Sequence, residues 1–132
     1  MLLVLGCATE QKVGDLQKGE SAYIEESWGY YGLALFFCSV LRVDDWTAPE
    51  PGWTNARLDR IALSPGVHEV NIKCKSKVYP GVRHRYLHTF TLLFEEGHKY
   101  KVELSLRKGC VFISDVTKNV VIADDGHCSE TQ

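Results

Sequence analysis

From Val67 to Lys75 oily and polar side chains alternate, a period of two that an extended backbone alone can sort onto opposite sides. Val70, Ile72 and Cys74 share one side, and Glu69, Asn71, Lys73 and Lys75 share the other. The same alternation returns over residues 86–94, with Phe90, Leu92 and Phe94 together, and over 99–106, with Tyr100, Val102, Leu104 and Leu106 together. Each run predicts a half-buried antiparallel strand. Turn residues punctuate them: Ser64-Pro65-Gly66 before the first run, and Glu95-Glu96-Gly97-His98 between the other two. Further strands are expected at 22–27, 33–43, 57–63, 110–115 and 120–123, about seven or eight in all. A helical period is conceivable only near Thr9 to Gln17. Short strands at even spacing argue for a β-sandwich or a small barrel.

The chain has 132 residues, 45% of them hydrophobic and 24% charged, enough for one packed domain with a wet surface. Net charge is −2, so overall charge gives no case for polyanion binding. The distribution is uneven, because residues 68–108 hold nine basic residues (Lys73, Lys75, Lys77, Arg83, Arg85, Lys99, Lys101, Arg107, Lys108) against Glu69, Glu95, Glu96 and Glu103. These basic residues alternate with inward apolar ones and are read as the solvated face of strands, so no nucleic-acid partner is expected. The longest apolar run, 33–38, fits a buried strand and is far short of a membrane span.

Val4-Leu5-Gly6-Cys7 resembles a bacterial lipobox, which implies lipidation at Cys7 and a membrane partner through that anchor. Only six uncharged residues precede Cys7, whereas a secretory signal has a basic segment and a longer apolar one. Either the true start lies upstream of Met1, or the segment is a first strand. Residues 1–20 are accordingly expected to be a truncated signal and flexible tether, 21–124 the β domain, and 125–132 a tail.

Pro65–Val70, Phe94–Val102 and Ile113–Thr117 together resemble a pattern of small bacterial envelope lipoproteins whose β-sandwich is similar to PEGA-like and carboxypeptidase-regulatory-like modules. The resemblance covers roughly residues 60–123. It implies a single antiparallel sandwich, immunoglobulin-like or transthyretin-like, in the cell envelope facing the periplasm or exterior, and it carries over no functional residue.

Five cysteines become four once Cys7 is set aside: Cys38, Cys74, Cys110 and Cys128. An even set suits an oxidising compartment, and one bridge between sheets among Cys38, Cys74 and Cys110 is geometrically open if Cα atoms approach within about 7 Å. The alternative is small buried hydrophobes with free thiols. No metal or cofactor site is expected, since no ligand set has the required spacing. His84 and His88 would stand about 13 Å apart on a strand. His68 and His98, each just after a turn glycine, could meet if their strands were neighbours, and His127, Cys128 and Asp125 could join a metal.

Residues 44–56 form the longest irregular stretch and hold Asp44, Asp45, Trp46, Glu50 and Trp53. Two tryptophans beside carboxylates on a proline-stiffened loop offer a surface for a sugar, small molecule or peptide, or else cap the core. Trp28, Tyr30 and Tyr31, around Gly29 and Gly32, form a second aromatic cluster. No Gly-x-Ser-x-Gly, His-Glu-x-x-His, Walker or dinucleotide motif occurs. The expected function is therefore non-catalytic, a binding or structural accessory module with an envelope protein or glycan partner. A small hydrolase would need a cleft holding a hydrogen-bonded nucleophile and base.

Overall fold

A computed structural model describes residues 9–13, 21–48, 59–78 and 81–128. Eleven strands follow one another: β1 (Thr9–Lys12), β2 (Ala22–Glu25), β3 (Ser27–Tyr31), β4 (Ala34–Val43), β5 (Trp46–Thr47), β6 (Asp59–Leu63), β7 (Gly66–Val78), β8 (Val82–Phe94), β9 (Lys99–Ser105), β10 (Cys110–Asp115) and β11 (Val120–Asp124). There is no helix among the described residues.

Six strands form one sheet in the order β1-β6-β2-β9-β10-β11, and β3-β4-β7-β8 form a second, with β5 beside the far end of β4. Both sheets turn their oily sides to one core. Ile24, Ile61, Tyr100, Val102 and Ile113 come from the first, and Val40, Ile72, Cys74, Phe90 and Phe94 from the second. Two sheets over one apolar layer bury the oily side of each alternating strand, and the arrangement is compatible with a β-sandwich. Ser27 stitches the layers, donating from β3 to the Val102 carbonyl of β9.

Pairing is not wholly antiparallel, as the sequence led one to expect. β1 lies parallel to β6, and β2 lies parallel to β9. Strands adjacent in space are here distant in sequence, so direction is not constrained by a hairpin. Thr9–Lys12 is thus a strand, where a flexible tether or helical turn was expected, and Val13 after it packs against the core; the rest of the tether, Cys7 included, lies outside the described residues.

β4 carries a bulge between Val40 and Arg42, so two residues there oppose one on β7. It explains how Val40 and Val43, three apart, can both be buried. Without the extra residue they would point to opposite faces.

Two disulfides staple the molecule, Cys38–Cys74 and Cys110–Cys128. Neither is the inter-sheet bridge that the sequence left open. Cys38 and Cys74 face each other on adjacent strands of one sheet with Cα atoms 4.0 Å apart. Opposed residues on neighbouring strands lie about 4.5–5.5 Å apart, within the span of a cystine, so the register of β4 on β7 is enough to bring the two sulfurs together. Cys110–Cys128 ties the segment after β11 to β10, and the Asp125 amide adds a bond to the Val111 carbonyl at 3.0 Å. Residues 125–128, expected as a tail, are thereby fastened.

Candidate functional site

Turns at one end of the two sheets gather the titratable side chains. Asp44, in the β4–β5 turn, adopts a left-handed backbone (φ 52°) that Asp tolerates better than most residues. One carboxylate oxygen accepts the Glu69 amide at 2.9 Å, and the other lies 2.5 Å from His68 Nδ1. Both partners favour the anion, the Glu69 amide most, and hold the Asp44 carboxyl below its usual range. His68 Nε2 in turn lies 2.7 Å from the Ser64 carbonyl and 3.3 Å from the Ser64 hydroxyl.

Asp, His and Ser in series are the parts of an acyl-transfer triad, but the hydrogen-bond pattern is different. A base must present a free lone pair to the hydroxyl. Here the nearer neighbour of Nε2 is a carbonyl oxygen, which can only accept. With Nε2 turned to that carbonyl, the ring does not offer its lone pair to the Ser64 hydroxyl. The arrangement instead clamps the β4–β5 turn to the start of β7.

A second dyad stands in the neighbouring turns. Gly97 (φ 79°) reverses the chain after Glu95 and Glu96, and His98 Nδ1 then lies 2.8 Å from Asp115, which is 2% exposed. Burial pushes the Asp115 carboxyl up, yet the His98 contact and the amides of Lys118 and Thr117 outweigh it and hold the group below its usual range. Lys118 Nζ meets Glu95 at 3.0 Å, a contact that raises the pKa of the ammonium.

The two histidines do not touch, because β7 and β9 belong to different sheets. They are linked through the core instead. His68 lies 6.0 Å from Phe94 by ring centroids, Phe94 packs edge-on against Tyr100 at 4.8 Å, and Tyr100 lies 6.3 Å from His98. The Tyr100 hydroxyl accepts the Glu95 amide at 2.8 Å, and burial pushes its phenol pKa up.

Donor atoms of Glu95, His98 and Asp115 fall within 4.8 Å of one another, as do those of Cys110, Asp125 and Cys128. In the first group Glu95 already pairs with the Lys118 ammonium, and in the second both sulfurs belong to a disulfide. His127 contributes its amide to Asp125 at 3.0 Å. His84 is exposed and His88 packs edge-on against Phe90, and the two histidines stand four positions apart along β8.

The loop singled out from the sequence is only partly described. Trp46 sits on β5 and packs against the core, Asp45 is exposed, and the Asp44 carboxylate is engaged by Glu69 and His68. Trp53 and Glu50 lie outside the described residues. An open pocket of about 350 Å³ lies elsewhere, lined by Leu104, Lys108, Cys110, Phe112, Val121 and Cys128.

The Gly-then-His pattern ahead of two strands was the sequence signal for these dyads. What it lacked was the partner, since Asp44 and Asp115 stand 24 and 17 residues away. Comparison with known family models, with curated proteins and with solved structures finds no match.

Proposed function

We propose that this chain is a non-catalytic lipoprotein module of the bacterial cell envelope, anchored by a lipid on Cys7, facing the periplasm or exterior and acting through its surface on another envelope component. The observation that supports the reading is the pairing of all four cysteines left when Cys7 is set aside. Two structural disulfides in one small domain suit an exported protein, because reducing cytosols keep thiols free. The two-sheet architecture fits the same proposal, as a sandwich of the immunoglobulin-like or transthyretin-like kind with parallel pairings added at β1–β6 and β2–β9.

Expression of the full chain, preceded by a functional signal, tests the anchor. The protein is expected to incorporate labelled palmitate and partition into detergent, with both lost in Cys7→Ser. An unlabelled wild type in the aqueous phase overturns the anchor, and free thiols at the four remaining cysteines overturn the exported setting.

Ser64, His68 and Asp44 give a hydrolase reading its one specific support, since they do come together. A fluorophosphonate probe decides it. No adduct at Ser64 is expected, because His68 Nε2 is turned to the Ser64 carbonyl; labelling lost in Ser64→Ala would establish the hydrolase instead.

A further inference from the structure

The opposite end of the five-stranded sheet carries a different surface. Its inner rows are dry, with Phe36, Cys38, Cys74 and Ser76 buried. Its outer rows, read across β3, β4, β7 and β8, place Trp28, Phe37, Lys75 and Arg85 side by side, and next to them Tyr30, Leu35, Lys77 and Arg83. Opposed residues share a face, and neighbouring strands lie about 4.8 Å apart. Each row therefore runs from aromatic to cationic within about 15 Å. Neither row contains a carboxylate.

The β3–β4 hairpin that forms the aromatic half is uncharged from Ser27 to Leu41. Its tip is also bare: Tyr30 is 73% exposed, Tyr31 64% and Leu33 72%. The register Ala34 to Val78 to Val82 sets the β7–β8 turn beside this tip, so Lys77 flanks the oily hairpin and Arg83 stands one strand beyond it. Exposed apolar groups in a continuous patch mark an interaction surface, and a ring of one charge sign selects what covers it.

We propose that this end of the sheet docks on an anionic phospholipid bilayer, with the Tyr30–Tyr31–Leu33 tip in the interface and Lys75, Lys77, Arg83 and Arg85 against headgroup phosphates. Aromatic side chains favour the level of the headgroups, and basic ones are drawn to an anionic leaflet. A single-stranded nucleic acid fits less well. Trp28 and Phe37 stack on each other at 6.4 Å and 29°, which leaves less of each ring open to a base, and Leu33 has no π-face to offer. The inference goes beyond the anchor at Cys7, and carrying Cys7→Ser throughout keeps the two separable.

The full chain with Cys7→Ser is sedimented with phosphatidylglycerol–phosphatidylcholine vesicles and with pure phosphatidylcholine vesicles. Binding is expected to the first only, weakening as salt is added. Lys77→Gln with Arg83→Gln should cut the partition coefficient about thirtyfold, each charge near such a surface counting for roughly fivefold. Quenching of tryptophan by brominated acyl chains should appear in this protein and fade in Tyr31→Ser/Leu33→Ser. These positions are exposed, and near-ultraviolet circular dichroism checks that the fold persists. Equal binding to neutral vesicles, no change in the charge variant, or tighter binding to a single-stranded oligonucleotide overturns the proposal.

Discussion

Gly29 lies directly opposite Phe36 on β4, and the ring of Phe36 covers it. A Cβ at Gly29 would stand 2.6 Å from a ring carbon, so any side chain must push a nearly buried phenylalanine out of place. Gly29→Ala is expected to destabilise the protein by about 1–3 kcal/mol, read from urea unfolding, although alanine has no quarrel with a strand backbone. Nothing in Trp28-Gly29-Tyr30 announces such a contact; residues 28–32 were expected to lie between two strands, yet Gly29 is within β3 and only Gly32 (φ 62°) serves the turn. His68 and His98 were legible as polar residues at strand entrances. Their aspartate partners were not, because nothing local in the chain records which turn lies next to which.

β4 shows how far alternation carries an element and where it stops. Its existence followed from its apolar run, but its bulge did not, since a period of two cannot foresee an inserted residue. The Glu26 carboxylate, just before β3 begins, accepts the Val40 amide at 2.7 Å in the gap between the pairings of β4 with β3 and with β5, so the unpaired edge of β4 is satisfied there by a side chain. Cysteines obey the same limit. Parity turned Cys74 inward, yet the bridge depended on β4 lying next to β7. The bridges close spans of 36 and 18 residues, and loop-closure entropy assigns them about 4 and about 3 kcal/mol. Breaking Cys38–Cys74 with paired alanines should therefore lower the urea midpoint slightly more than breaking Cys110–Cys128, and full reduction should exceed either.

Across the molecule the two ends differ in chemistry. One collects the histidine–aspartate dyads on turns, and the other exposes an oily hairpin beside four cations. Acid should be felt at the first. The Asp44 and Asp115 carboxyls are held low in the folded state. The stabilisation they give is present above the unfolded value of about 3.9 and disappears as pH falls through the lower folded values. Urea midpoints are therefore expected to fall steeply below about pH 4, and less steeply in Asp44→Asn, whose side chain no longer titrates. A variant that follows the wild-type curve over that range would remove Asp44 from the account.

Alternation determined that the backbone is extended and which side of each ribbon is dry, because burial of every second side chain is a local demand written in neighbouring residues. It therefore settled the all-β class and most strand positions. Strand neighbours were another matter: β2 beside β9, β1 along β6, Cys38 across from Cys74, His68 against Asp44. Such pairings join residues far apart in the chain, and they are selected by the fit of the whole core, where a slip of one residue would turn every oily side chain into water.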